Sequence, residues 1–150
     1  MPTAHLADRK TASWGVPWEE AYGYPQAIQV GNEIYVSGQF NHDESGNLVA
    51  PADLDSTGKP SDFSKMEEQM RTAYENIAKI LAQFGATLND VVDETIYILD
   101  MDAAFAVAGK VRKNAYGTER PQCASTIIGV PRLAQPSQLI EIACKAVLRT

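Results

Sequence analysis

The sequence predicts a single α+β domain in which a mixed β-sheet carries two helices on one of its faces. One observation behind this prediction is the order of the segments, β-β-α-β-α-β-β, which is typical of mixed sheets. The other is that only two segments have the apolar spacing of a helix, too few to cover both faces. A chain of 150 residues buries roughly 70% of its unfolded surface. We therefore expect one domain over 1–150, with 1–23 as an N-terminal arm.

Runs of β-branched and aromatic residues predict five strands. They cover residues 27–30, 33–40, 91–99, 123–130 and 139–148. Gly31 and Asn32 separate the first two strands, and both are expected to take the positive φ values of a tight hairpin. Pro131 and Pro136 confine the connection between the last two, because proline cannot continue a central ladder.

Two segments are predicted to be amphipathic helices. Ser64 and Glu67 are expected to form a capping box at the start of the first, and Gly85 is expected to end it. Its apolar stripe consists of Met66, Met70, Ala73, Ile77, Ile80, Leu81 and Phe84. The second helix begins after Asp100 or Asp102 as its N-cap. The side chains expected on its inner face are Phe105, Ala108, Val111 and Ala115.

Alternation along the strands divides their side chains into two sets, one for each face of the sheet. The apolar set, expected beneath the helices, consists of Ile34, Val36, Ile96, Ile98, Ile128, Val130, Ile140, Ile142 and Leu148. The other set is mixed and consists of Tyr35, Ser37, Gln39, Thr95, Tyr97, Leu99, Ser125, Ile127, Leu139, Glu141, Ala143 and Val147. Such a face is too apolar for solvent. We expect copies of the chain to cover it and a ligand pocket to form there.

A few residues could carry chemistry. Glu141 lies within an apolar strand, where desolvation would raise its pKa and suit it to proton transfer; alternatively it accepts hydrogen bonds at a subunit boundary. Ser37 precedes Gly38, whose missing Cβ would let a ligand approach the backbone; the alternative is a simple strand-end kink. Arg120 and Arg132 flank the fourth strand and either bind a substrate carboxylate or remain solvated.

Composition and motifs argue against several classes of function. A net charge of −6 with scattered basic residues disfavours nucleic-acid binding, and no apolar run approaches the ~20 residues of a membrane span. The sequence has no Gly-rich phosphate loop, HExxH motif or Cys/His cluster, so no cofactor or metal is expected. His5 and His42 are poorly placed to activate Ser37 as in a Ser-His-Asp hydrolase. Cys123 and Cys144 lack metal-ligand spacing and indicate free thiols in the cytoplasm.

Several stretches together resemble the YjgF/RidA family of reactive-intermediate (enamine/imine) deaminases, whose members are often labelled endoribonuclease L-PSP. They occur in the family's order between Tyr24 and Leu148. The similar stretches are Val30-Gly31-Asn32-Glu33-Ile34-Tyr35-Val36-Ser37-Gly38-Gln39, Asn76-Ile77, Ile80-Leu81, Phe84-Gly85-Ala86, Asp90-Val91-Val92, Thr95-Ile96-Tyr97-Ile98-Leu99-Asp100-Met101, Leu139-Ile140-Glu141-Ile142 and Ala146.

The resemblance implies a chorismate-mutase-like subunit and a homotrimer whose sheets form a central barrel, with ligand clefts between subunits. It implies that water attacks the carbon of a small imine in each cleft and releases ammonia. Glu141 would orient or deprotonate this water, while Tyr24, Ser37 and Gly38 would bind the substrate. No cofactor, nucleic acid or membrane is implied.

Three positions depart from the family pattern. When the chain is matched to the family pattern by counting back from Leu133, Ser125 stands where the family has an arginine that binds the substrate carboxylate. Ile127 stands where the family has a cysteine in the pocket. Gly109 replaces an asparagine of the second helix. A serine cannot substitute for a bidentate guanidinium. The resemblance therefore predicts a divergent pocket without this arginine, into which Arg120 could reach.

Three functions follow from these observations. The first is hydrolysis of an imine, enamine or related C–N compound, with Glu141 as the base. The second is a non-catalytic, metabolite-binding regulatory trimer, which the missing arginine favours. The third is RNA cleavage, which the family label suggests and the acidic charge opposes. We rank the enzyme above the binding protein and RNA cleavage below both.

Overall fold

The computed structural model describes residues 8–149; His5, placed above in the N-terminal tail, lies outside them. Within this range the chain forms six strands and three helices, besides a 3₁₀ turn at Leu88–Asp90. The strands are β1 (Lys10–Ala12), β2 (Ala27–Val30), β3 (Glu33–Gln39), β4 (Val91–Ile98), β5 (Ala124–Gly129) and β6 (Ile140–Val147). The helices are α1 (Pro17–Tyr22), α2 (Met66–Ala82) and α3 (Met101–Tyr116).

The six strands form one mixed sheet in the order β1-β2-β3-β6-β4-β5, with β4 and β5 parallel and the other pairs antiparallel. Helix α2 packs on β3 and β6, and α3 packs on α2. The predicted α+β class and the predicted element order from β2 onward are confirmed. None of the described helices combines the length and apolar content that crossing a lipid bilayer requires.

The N-terminal arm has more regular structure than the sequence analysis predicted. Strand β1 extends the sheet by pairing with β2, with Lys10 opposite Gln29, and α1 follows it. The prediction of five strands and two helices was therefore incomplete. Three residues are too few to display a period of two, so β1 is recognisable only from its pairing.

Two turn predictions need correction. In the β2–β3 hairpin only Gly31 has a positive φ, of 61°, which is the pattern of a type II′ turn; Asn32 does not take the left-handed conformation. The capping box predicted at the start of α2 is also absent from the structure. The Ser64 amide donates to Asp62, and Lys65 occupies the N-cap without a side-chain hydrogen bond. Gly85 ends the helix as predicted, with a φ of 73°.

The predicted apolar stripe of α2 is confirmed, because its residues belong to the core. Helix α3 differs in one position. Asp100 is its N-cap and accepts a hydrogen bond of 3.0 Å from the Ala103 amide. Phe105, predicted to face inward, is 65% exposed, and the neighbouring Ala104 is fully buried instead. Successive residues of a helix point about 100° apart, so a shift of one position takes a side chain out of the core.

The division of the strands into two faces is confirmed for β4 and β6 and for the first half of β3, where Ile34, Val36, Ile96, Ile98, Ile140 and Ile142 are buried. Leu99 and Leu139, assigned to the mixed face, belong to the core instead. Gln39 is also buried, contrary to prediction. A β-bulge between Val36 and Gln39 explains it, since an extra residue reverses the faces beyond it.

The faces of β5 are the reverse of the prediction. In the parallel β4–β5 pair, Ile127 lies beside the buried Ile96 and packs against the core, while Ile128 lies beside Tyr97 and is 40% exposed. The face of the sheet opposite the helices, called the open face below, therefore receives Ala124, Thr126 and Ile128 from β5. Ser125 and Ile127 point to the helix side.

A buried ionic cluster that no sequence pattern indicated lies beneath the helices. Glu94 on β4 is completely buried and accepts hydrogen bonds from Tyr74 (2.8 Å), Tyr116 (2.7 Å) and Ser125 (2.6 Å). Arg112 of α3 completes the set with an ion pair of 2.6 Å. Burial and the charge of Glu94 raise the pKa of both tyrosines. We call these five residues the Glu94 cluster.

Candidate active site

The candidate site is built on the bulge in β3. Val36 lies opposite Cys144 of β6 and Gln39 lies opposite Ile142, so β3 has one more residue than β6 between these pairs. The extra residue lies at Ser37-Gly38. The Ser37 hydroxyl donates a hydrogen bond of 2.9 Å to the Pro25 carbonyl, which ties the bulge to the preceding loop.

Glu141 of β6 extends its side chain directly over Gly38. A Cβ atom added to Gly38 would lie 2.6 Å from the Glu141 carboxyl carbon and 2.8 Å from its Cγ. Such distances are below van der Waals contact, so only glycine leaves room for the carboxylate in this position. The space beside Gly38, predicted to admit a ligand, is occupied by the Glu141 side chain instead.

The bulge and Glu141 form one end of a cavity of about 640 Å³. The structure brings together four residues predicted from the sequence, namely Tyr24, Ser37, Gly38 and Glu141. The other lining side chains come from α1, the end of β3 and the β5–β6 connection, and are Trp18, Tyr22, Phe40, Ala134 and Gln135. The cavity therefore has an aromatic wall and a carboxylate at one end.

Burial raises the pKa of Glu141, as predicted from its place in an apolar strand. A hydrogen bond of 3.0 Å from the Gln138 side-chain amide opposes this effect and lowers the pKa. Gln138 is itself fully buried, and the same amide nitrogen also donates to the Ile140 carbonyl at 3.2 Å. Gln138 thus holds the carboxylate in place, a role that no sequence pattern indicated.

The Tyr24 hydroxyl belongs to the same electrostatic environment. Burial raises its pKa, and the negative charges of Glu141 and Glu19 raise it further. The neighbouring polar groups of Gln26 and Trp18 act in the opposite direction. Tyr24 therefore stays protonated at neutral pH and retains a hydrogen for donation into the cavity.

Trp18 and Tyr22 of the N-terminal arm form part of the aromatic wall, a role that was not predicted from the sequence. Trp18 packs on Phe40 with ring centroids 5.5 Å apart and on His42 at 5.2 Å. His42 is only 2% exposed, and burial lowers its pKa. This histidine therefore supports the wall as a neutral ring.

Other predicted site residues lie outside the cavity of a single chain. Ser125 binds Glu94, and Ile127 packs in the core, so the expectation that they line the open face is wrong. Arg120 and Arg132 are exposed at the two ends of β5. Gly109 is exposed on α3.

Neither face of β5 carries an arginine or lysine. The arginine of the family pattern therefore has no counterpart in this strand, even if the match is shifted by a residue. Its open face carries Ala124, Thr126 and Ile128. Among residues 8–149 there is also no group of three His, Cys, Asp or Glu side chains able to share a metal ion.

Replacing Gly38 with alanine is expected to destabilise the fold by about 1 kcal/mol, the lower end of the usual cost of overpacking, because the atoms that must move belong to the end of a flexible side chain. The new methyl group would displace the Glu141 carboxylate. The loss should be much smaller in a Glu141→Ala background, because the clashing atoms are then absent. Urea unfolding of both single variants and the double variant measures this coupling.

Gly109→Ala is the matched control for this cycle. A Cβ there meets no atom within 4 Å, and alanine in a helix is more stable than glycine by about 0.5–1 kcal/mol. Equal effects of Gly38→Ala in the presence and absence of the Glu141 carboxylate would contradict the close approach.

The fold and the cavity define a small α+β protein in which a carboxylate lies beside aromatic side chains on the sheet. The family model described as Endoribonuclease L-PSP matches residues 18–148. The chain therefore belongs to this family, the YjgF/RidA family of the sequence analysis.

Individual relatives agree with this assignment. A RutC family protein of Pyrococcus abyssi is 36% identical over 73% of this chain and 75% of its own length. A mouse protein named 2-iminobutanoate/2-iminopropanoate deaminase is 28% identical over 73% of this chain and 72% of its own length. A solved YjgF/YER057c/UK114 family structure from Mycobacterium tuberculosis is 29% identical. It has a TM-score of 0.70 over 93% of this chain and 99% of that one.

Proposed function

We propose that the protein hydrolyses a small imine, enamine or related C–N compound in a cleft between the subunits of a homotrimer. The observation that carries the proposal is the Glu141 carboxylate, which burial makes more basic than an exposed glutamate and which faces the cavity beside Tyr24 and Ser37. A general base needs such a raised pKa. The mouse relative named as an iminobutanoate deaminase adds support from the family.

In the proposed reaction, Glu141 accepts a proton from water while the water oxygen forms a bond to the imine carbon. The electron pair of the C=N double bond moves to nitrogen. The proton held by Glu141 is then delivered to this nitrogen, which gives a carbinolamine. Glu141 next accepts the proton of the new hydroxyl group and passes it to the same nitrogen as the C–N bond breaks, and a carbonyl compound and ammonia leave. Tyr24 donates a hydrogen bond within the cavity, and Gln138 holds the Glu141 carboxylate in position through its hydrogen bond.

The open face of the sheet supports the trimer. Tyr35 and Ile128 are large apolar side chains that expose 43% and 40% of their area on it. The long helices α2 and α3 lie on the other face, so a sheet with this composition is expected to bury its open face against other copies. Copies of the chain would also close the cavity, whose residues here come from one subunit.

Ile128→Glu is expected to disrupt this assembly, because the new charge would be buried at the interface. Sedimentation equilibrium of the native chain should give three times its 16.4 kDa mass, and the variant a single-chain mass with helical circular dichroism preserved. Ala82→Glu on the outward side of α2 is the control and should leave the assembly intact. A native chain that sediments as a monomer would remove the basis of the cleft.

Hydrolysis is tested by ammonia release from imines that an oxidase generates in the assay from amines and amino acids. The purified protein should accelerate release beyond the uncatalysed rate. No acceleration with any imine would refute the proposed activity.

A non-catalytic binding trimer is the second candidate, favoured by the absence of a cationic residue from β5. Its test is a thermal-shift screen of metabolites. A specific ligand at one hundred times its Kd should stabilise the fold by about 2.7 kcal/mol. Binding in the cleft without turnover would favour this candidate over the enzyme.

A further inference from the structure

The side chains around the cavity define what kind of ligand it can accept. Its wall consists of Trp18, Tyr22, Tyr24 and Phe40. Tyr22 and Tyr24 pack edge to face with centroids 5.5 Å apart, and Tyr22 is 85% exposed at the rim. Aromatic faces attract cations through their quadrupoles, and clustered aromatic rings are the usual binding site for alkylated ammonium groups.

Among the described side chains that line the cavity, Glu141 is the one charged group, and its charge is negative. Glu141 takes part in none of the ion pairs formed within residues 8–149. None of the described side chains that line the cavity is a lysine or arginine. A ligand carboxylate would therefore meet a like charge at Glu141, and no lining side chain of the same subunit would hold it, whereas a cationic ligand would neutralise the half-buried carboxylate.

We infer that the cleft is specific for a cationic, carboxylate-free iminium ion, the protonated imine of a simple amine, over the imine of an amino acid. The inference rests on the proposed hydrolysis and names its substrate class. The balanced reaction converts R₂C=NH₂⁺ and water into R₂C=O and NH₄⁺. Glu141 attracts the iminium charge and accepts the first water proton, which it passes to the departing nitrogen. The second water proton leaves the hydroxyl group as the C=O bond forms and ends on the ammonia released. Two-electron oxidation of a primary amine is the class of reaction that supplies this substrate.

Two substrates that differ only in a carboxylate separate the alternatives. Propan-1-imine is generated from propylamine by an amine oxidase, and 2-iminobutanoate from 2-aminobutanoate by an amino-acid oxidase. The kcat/KM should be at least about tenfold higher for propan-1-imine, the effect expected of one charged contact. A higher value for 2-iminobutanoate would overturn the inference while leaving the proposed hydrolysis intact.

Binding of unreactive probes tests the ligand class independently of turnover. Propyltrimethylammonium should change the tryptophan fluorescence of the protein saturably, and butanoate should not. Glu141→Gln should weaken binding of the cation by about tenfold or more. The exposed Glu44, which joins none of the ion pairs formed within residues 8–149, provides the matched control, and Glu44→Gln should leave binding unchanged.

The outcomes of the two experiments are distinct. Glu141-dependent binding of the cation without hydrolysis of either imine would support the ligand class and refute the proposed enzyme. Tighter binding of butanoate, or no binding of either probe together with no turnover, would overturn the inference.

Discussion

Replacing Glu141 with glutamine is expected to lower kcat/KM for imine hydrolysis by about 10²–10⁴-fold, the usual contribution of a positioned general base. Glutamine has nearly the same shape and can still accept the hydrogen bond from Gln138, but its amide cannot take a proton from water. Initial rates of ammonia release from native and variant protein measure the effect. A variant with undiminished activity would show that another group, or none, is the base.

The pH dependence gives a second measurement on the same residue. The base must be ionised, so activity should fall as the pH drops through the raised pKa of Glu141. The acidic limb of the kcat/KM profile is therefore expected above 4.5, the ordinary value for glutamate. Gln138→Leu should move this limb to a still higher pH. The hydrogen bond from Gln138 lowers the pKa of Glu141, so removing this bond raises that pKa. A limb at or below 4.5 would contradict the desolvated carboxylate.

Stability should change in the opposite direction from activity. A carboxyl group with a raised folded pKa binds its proton more tightly in the folded than in the unfolded chain, so its ionisation costs stability. This cost is absent below the pKa of an exposed glutamate and complete above the raised pKa. Glu141→Gln is therefore expected to unfold at the same or a higher urea concentration at pH 7. Marked destabilisation would indicate that the charge is stabilised by a partner.

Replacing Arg112 with methionine is expected to destabilise the fold by about 3–5 kcal/mol, because it leaves the completely buried Glu94 carboxylate without its cation. Three hydroxyl donors remain, but none carries a positive charge. For a domain of this size the loss lowers Tm by roughly 6–20 °C. Thermal and urea unfolding at one protein concentration give the value.

Two further variants interpret this result. Lys113→Met removes the neighbouring exposed ion pair with Glu119 and should cost at most about 1 kcal/mol. Replacing Arg112 and Glu94 together by methionine should recover part of the loss, because no unpaired charge remains. If Arg112→Met cost no more than Lys113→Met, the ion pair between Arg112 and Glu94 would not stabilise the fold as proposed.

The sequence by itself determined the element order from β2 onward, the apolar stripe of α2 and the inner faces of β4 and β6. These features repeat with the period of a helix or a strand, so a local stretch of chain is enough to reveal them. It also indicated Tyr24, Ser37, Gly38 and Glu141. Glu141 stands out because a charge within an apolar strand departs from the local pattern.

Only the tertiary structure decided which way β5 faces, where β3 gains a residue, and which distant groups meet. A shift of one residue exchanges the faces of a strand. Ser125, expected in the cleft, therefore lies on the helix side and donates a hydrogen bond to Glu94. Tyr74, Glu94, Arg112 and Ser125 belong to four separate elements. Their meeting point depends on the register and packing of those elements, which no local period encodes.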